Sequence, residues 1–166
     1  MSKSSYIDGV EIIELKEFVD RRGRVQHGYN LFNPAFDFLP PTVGEVYFSS
    51  VNPGVVKAWH LHKEMWLRYV VVSGTITLGL FDDREGSPTR GHPMKVQMAE
   101  NGTHYKMVII PPGVWNGFRA TEHATRPAKI CNISSMPHDP DEIVRKPPDA
   151  VPWGLSWGDY DREVSG

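Results

Sequence analysis

A chain of 166 residues, 40% of them hydrophobic, can bury a sizeable core within a single domain spanning 1–166 and has no room for a second. A formal net charge of −2 with no basic run argues against nucleic acid as a partner. The lone Cys131 excludes an internal disulfide, no apolar run approaches the roughly 20 residues that cross a bilayer, and Met1–Asp8 lacks the apolar stretch of a signal peptide, so a soluble cytoplasmic protein with no membrane partner is expected.

In chain order, short runs rich in β-branched and aliphatic residues recur at Gly9–Leu15, Val43–Ser49, Leu67–Ser73, Thr75–Phe81, Met94–Met98, Lys106–Ile110 and Ala128–Ile133. Ser73-Gly74 and Asn101-Gly102 read as hairpin turns. Between the first two runs, Phe32–Pro41 carries Pro34, Pro40 and Pro41 and reads as a loop. From Met136 onward the chain is rich in Pro, Asp and Trp, and an irregular wrap is expected, with Trp153 and Trp157 as packing anchors. Few segments show a helical period. Strands this short and this regularly punctuated hide their edges best by closing into a sandwich-like barrel, so the fold class is all-β.

The stretch from Gly54 through His60-Leu61-His62 to Gly74 carries the most chemistry. Alternation along a strand sends His60 and His62 to one face, as a bidentate imidazole clamp or a paired acid/base site requires. The spacing resembles the first motif of the cupins, which implies a double-stranded β-helix, or jelly-roll barrel. A metal-binding cupin has a glutamate where this chain has Leu67, and a second-motif histidine where it has Asn116, within Pro111-Pro112-Gly113-Val114-Trp115-Asn116. Two imidazoles and a neutral carboxamide make a poor transition-metal set, so no metal is expected. The plainer reading is that both histidines only hydrogen-bond within a polar barrel mouth.

Several motifs together resemble the dTDP-4-dehydrorhamnose 3,5-epimerase family across nearly the whole chain. Asp82, Arg84, Ser87, Pro88, Thr89 and Gly91 resemble the family's Asp-x-Arg-x-x-Ser-Pro-Thr-x-Gly. Pro111, Gly113, Asn116, Gly117 and Phe118 resemble its Pro-x-Gly-x-x-His-Gly-Phe, and Lys57 to His60 stand where it has Arg-Gly-Leu-His. Asp20, Arg22 and Gly23 resemble its Asp-x-Arg-Gly, and Leu155, Ser156 and Asp159 its Leu-Ser-x-x-Asp. The resemblance implies a homodimer acting on a nucleotide-linked 4-keto-6-deoxy sugar with no cofactor. Tyr6–Leu15 is a strand that could pair at an edge with the partner.

A hydrogen beside a ketone can be removed by a positioned imidazole if the enolate oxygen is stabilised, and reprotonation from the opposite face inverts the carbon. By resemblance His60 is the base and Asp159 the carboxylate that orients it, while Arg22, Lys57, Asn116 and Tyr47 bind substrate and His62 is a further catalytic candidate. The plainer reading of Arg22 and Arg84 is a solvated turn charge or a structural ion pair, and for Arg84 that reading is favoured. The family's enolate-contacting lysine falls on Leu67, and its far-side acid, a tyrosine, near Ala128. His62, Tyr47, Tyr69 and Tyr105 are the candidates to replace that acid. A second resemblance, of His60-Leu61-His62-Lys63 and Ile110 to Trp115 to the dTDP-4-keto-6-deoxyglucose 3,4-ketoisomerases, implies two histidines shuttling a proton along one face. A third reading is a degenerate cupin that binds a sugar without turning it over.

Overall fold

Apolar runs of this kind fold into twelve β-strands among the residues that the computed structural model describes, namely 6–30, 32, 34, 42–149 and 157. They are β1 (Glu11–Glu14), β2 (Glu17–Asp20), β3 (Gly23–Gln26), β4 (Glu45–Val51), β5 (Val56–His62), β6 (Leu67–Ser73), β7 (Thr75–Asp82), β8 (Pro93–Ala99), β9 (Lys106–Ile110), β10 (Val114–Ala120), β11 (Ala128–Ser134) and β12 (Ile143–Arg145). Ten of them build two five-stranded antiparallel sheets in the orders β1-β9-β6-β11-β4 and β12-β5-β10-β7-β8, and β2 pairs with β3. The main core draws on both sheets, with Leu67, Tyr69, Val71, Val108 and Ile110 from the first and Ile76, Leu78, Leu80 and Phe118 from the second. The two inner faces therefore pack on each other as in a cupin-type jelly roll. No helix among the described residues is long and apolar enough to cross a membrane.

The Ser73-Gly74 turn is as expected: β6 ends at Ser73, β7 begins at Thr75, and Gly74 takes a φ of +79° that other residues resist. Asn101-Gly102 is not a hairpin turn. β8 pairs with β7 and β9 with β6, so this segment carries the chain from one sheet to the other through a short 3-10 turn, Gly102–His104. The described start of the tail, 136–149, is more ordered than its prolines suggest. β12 lies antiparallel to β5, pairing Ile143 with His62 and Arg145 with His60. Beyond it the chain stays stitched to β5, with Trp59 and Lys146 exchanging backbone hydrogen bonds and Trp59 Nε1 donating to Pro148 O at 3.3 Å. β1 pairs with β9 of its own chain, and among the described residues β1 and β4 are the two edges of their sheet.

A bulge in β5 sets up the site. Asn116 pairs with His60 and Phe118 with Lys57, so Ala58 and Trp59 stand opposite Gly117 alone. The extra residue shifts the parity of the strand and brings Lys57 to the side that His60 and His62 face. Gly117 makes the bulge possible, because a Cβ there would lie 2.4 Å from that of Ala58. Trp59 points the other way, into an outer cluster with Phe81, Trp115 and Trp157. Trp157 fills the space above Gly79, where a Cβ would meet its ring at 2.6 Å, and so pins its part of the tail to the outer face of the sheet.

Candidate active site

Between the sheets lies a cavity of about 400 Å³, within the range of small-molecule sites. One wall is the inner face of β4, with Glu45, Tyr47 and Ser49. The facing wall is β5, with Lys57, His60 and His62, extended by Ile143 and Arg145 of β12. Tyr69, Phe118 and His138 complete the lining. The sequence-derived candidates His60, His62, Lys57 and Tyr47 are thus brought together.

His60 is deprotonated at neutral pH. Burial pushes its pKa down from 6.5 to about 4, helped by the positive charges of Arg145 and Lys57 and by its neighbour His62. A neutral imidazole can accept a proton. Its expected carboxylate partner, Asp159, lies outside the described residues. His62 has a carboxylate partner that the sequence reading missed: its Nδ1 lies 2.6 Å from Oε2 of Glu142, and both side chains are buried. The other oxygen of Glu142 accepts the backbone N–H groups of Glu64 and Met65, each at 2.9 Å. Burial would raise the Glu142 carboxyl, but these two N–H donors and His62 together hold it below its usual range. A carboxylate held this way fixes the imidazole's orientation and favours a proton on Nδ1.

Two amides brace the neighbouring tyrosines. Asn116 is fully buried beneath the cavity: its Oδ1 accepts the Tyr69 hydroxyl at 3.2 Å, and its Nδ2 donates to the His60 carbonyl at 3.1 Å. In this arrangement the side chain steadies β5 and Tyr69 rather than lining the cavity, because both of its polar ends are engaged within the protein. Asn132 accepts the Arg68 backbone N–H at 3.1 Å and donates to the Tyr47 hydroxyl at 2.8 Å. Lys57 donates to Ser50 O at 3.3 Å, and its ammonium lies 6.0 Å from the Phe118 ring centroid.

Other candidates fall elsewhere. Arg22 sits on the β2–β3 hairpin, 83% exposed and paired with Asp20 at 2.6 Å, and does not line the cavity. A separate surface recess of about 540 Å³ runs along this hairpin, lined by Phe18, Val19, Asp20, Arg22 and Val25 among others. Tyr105 donates its hydroxyl to His27 O, and its ring packs in a cluster with Val70 and Met107, apart from the main core. Leu67 is part of the main core. Arg68, next to it in sequence, turns to the other side of the sheet, where its guanidinium donates to the carbonyls of Thr42 and Ile133 and stacks over Tyr29. Among the described residues no three His, Cys, Asp or Glu side chains gather as a metal-holding group.

The most specific sequence motif builds the fold rather than the site. Asp82 accepts hydrogen bonds from Arg84 Nε at 2.9 Å, Ser87 Oγ at 2.6 Å and Thr89 Oγ1 at 2.7 Å. Burial works against the Asp82 carboxylate, yet these donors outweigh it and hold its pKa far below the usual value. Arg84 also reaches Asp8 O at 2.5 Å, and its side chain occupies the space a Cβ on Gly113 would need, with Cγ only 2.9 Å away. Two motifs distant in sequence are thus one structural knot, and Arg84 is its ion pair.

Comparison with known proteins agrees with this architecture. The sequence profile of the dTDP-4-dehydrorhamnose 3,5-epimerase family matches residues 4–165. The chain is similar to a protein of Haloferax volcanii described as the probable low-salt glycan biosynthesis epimerase Agl13, with 35% identity over 156 residues covering 91% of this chain and 94% of that one. It is similar to the crystal structure of a dTDP sugar isomerase from Desulfovibrio desulfuricans G20, with 36% identity, a TM-score of 0.79 and coverage of 90% and 94%. The fold is shared with ChmJ, a 3'-monoepimerase from Streptomyces bikiniensis solved with dTDP-quinovose, at 24% identity, a TM-score of 0.80 and coverage of 92% and 77%. The chain belongs to the dTDP-4-dehydrorhamnose 3,5-epimerase family.

Proposed function

We propose that this protein is an epimerase of a dTDP-linked 4-keto-6-deoxy sugar, serving deoxysugar and polysaccharide biosynthesis, with His60 as the base that removes a proton beside the ketone. The observation that carries the reading is an imidazole kept neutral at the wall of the cavity between the sheets by burial and by two cations, Lys57 and Arg145. The same cations suit the substrate: they attract its diphosphate and the negative charge that develops on the keto oxygen. Lys57 offers a point charge in place of the family's forked arginine. The chemistry assigned here uses no metal and no organic cofactor. His60 takes a proton from carbon, the electron pair moves into the carbonyl as an enolate, and protonation from the other face returns an inverted centre.

A second reading rests on one observation, the buried His62–Glu142 pair on the same strand as His60. Two imidazoles on one face can move a proton between adjacent carbons, which would transfer the ketone rather than invert a centre. Incubation with dTDP-4-keto-6-deoxyglucose in heavy water, followed by NMR, separates these readings. Deuterium at C3, or at C3 and C5, with a new epimer is expected; a ketone appearing at C3 would select the isomerase, and binding without exchange would leave only a sugar-binding role.

The working unit in this proposal is a cytoplasmic homodimer. The hairpin exposes Phe18, Val19 and Val25, and the edge strand β4 exposes Val46 and Phe48 on its outer face. Exposed apolar residues on a hairpin and on a strand at a sheet edge fit the surface of a second copy. Arg22 on that hairpin is then placed to serve the partner's site.

A further inference from the structure

We propose that Tyr47 is the acid that protonates the far face of the sugar, taking the part that the resemblance gives to a tyrosine near Ala128. The inference rests on His60 as the base. An inverting proton transfer needs two groups on opposite sides of one carbon, and residues on facing sheets satisfy that geometry. His60 comes from β5 and Tyr47 from β4, strands of different sheets, and both line the same cavity. Packed sheets stand about 10 Å apart, a gap that a flat sugar ring can occupy with one wall at each face. His62 cannot fill the role, because it shares β5 with His60 and meets the same side of the ring.

Hydrogen bonding singles out Tyr47 among the tyrosines. The Arg68 backbone N–H can only donate, so it fixes the amide of Asn132 with Oδ1 toward Arg68 and Nδ2 toward Tyr47. The Tyr47 oxygen therefore accepts from Asn132, and its own hydroxyl hydrogen remains available to the cavity. Tyr69 has the reverse arrangement: its hydroxyl hydrogen goes to Asn116 Oδ1. Tyr105 donates to His27 O, away from the cavity. Ala128 is buried under the Gly74 turn, at 3.1 Å from where a Cβ on that glycine would stand, and pairs with Val51. Tyr47 pairs across β4 and β11 with Asn132, the residue whose amide holds its hydroxyl.

The step balances without an added reactant. His60 removes the proton and the C–H pair becomes the enolate. The enolate's carbon takes the Tyr47 hydroxyl proton from the opposite face, and the carbonyl re-forms. The phenolate left behind receives the Asn132 N–H bond, then regains a proton from solvent, while protonated His60 releases one. Burial raises the Tyr47 phenol, the Asn132 donor works in the opposite direction, and the carboxylates of Glu45 and Glu142 add to the rise, so the group rests protonated, as an acid must before it acts.

The test is Tyr47→Phe, which keeps the ring and removes only the hydroxyl, assayed with dTDP-4-keto-6-deoxyglucose in heavy water. The expected result is inversion slowed on the order of 100-fold or more, with deuterium still entering the same carbon, because His60 continues to remove and return hydrogen at its own face. Inversion at the wild-type rate would overturn the proposal. So would loss of exchange and inversion together in a variant that still binds dTDP, since Tyr47 would then be serving the base step. Absence of exchange in the wild-type protein would instead remove the reading of His60 on which the proposal rests.

Discussion

Two imidazoles two residues apart on one strand have opposite electrostatic neighbours. His60 faces burial, Arg145 and Lys57, which favour its neutral form, whereas His62 faces the buried Glu142 carboxylate at 2.6 Å. The proposed base must be neutral to act, so kcat/KM should fall as pH drops through about 4. Replacing Arg145 by Gln removes one of the charges that disfavour protonation, so the acidic limb of the pH–rate profile should move upward; an unmoved limb would show that Arg145 does not act on His60. Glu142→Gln should cost about 1–3 kcal/mol at pH 7, because an amide cannot accept both from His62 and from the two backbone N–H groups without leaving a buried polar atom unsatisfied. Since the wild-type carboxylate is held below its usual pKa of 4.5, its contribution is present above that value and is lost as pH falls through the lower folded value. The gap between variant and wild type in urea unfolding should therefore shrink in acid.

The legibility of these residues followed their local context. His60, His62, Lys57 and Tyr47 lie on strands that alternation and motif spacing mark, so one line of residues already implied one wall. Glu142 immediately precedes, and Arg145 ends, the short strand β12 between Pro140 and Pro147, where composition signals loop and the pairing with β5 is entirely tertiary. Asn116 was legible as a motif position but not as a brace, because its role depends on Tyr69, 47 residues away in sequence.

At the scale of elements, β6, Gly74 and β7 could be read directly, since a tight turn with positive φ between two apolar runs has few alternatives. The β2–β3 hairpin could not: its strands are four residues each, largely exposed, and carry no clean alternation. The decisive element is β5, whose bulge places Lys57 beside the histidines. That bulge depends on the absence of a side chain at Gly117, so Gly117→Ala forces two Cβ atoms into a separation of 2.4 Å. The expected cost is about 1–3 kcal/mol from overpacking, read as a lower Tm. Activity should fall further than stability alone explains, because relieving the clash moves Lys57 and His60 relative to one another; an alanine variant with unchanged Tm and rate would show that the bulge is not needed.

Across the whole molecule, family signature and site chemistry occupy different places. The conspicuous motif around Asp82, Ser87 and Thr89 ties the N-terminal segment at Asp8 to the Gly113 turn, and the cavity forms between sheets whose positions such ties set. This is why a chain can keep the family's architecture while the residues of its site vary. What this chain retains is the imidazole at position 60, and the proposal stands or falls with it. Its most direct test is NMR of dTDP-4-keto-6-deoxyglucose in heavy water with wild-type protein and His60→Asn side by side, after both are shown to bind dTDP. Wild type should incorporate deuterium next to the ketone, and the variant should do so slower by on the order of 100- to 10,000-fold. Exchange by the variant at the wild-type rate would contradict the assignment.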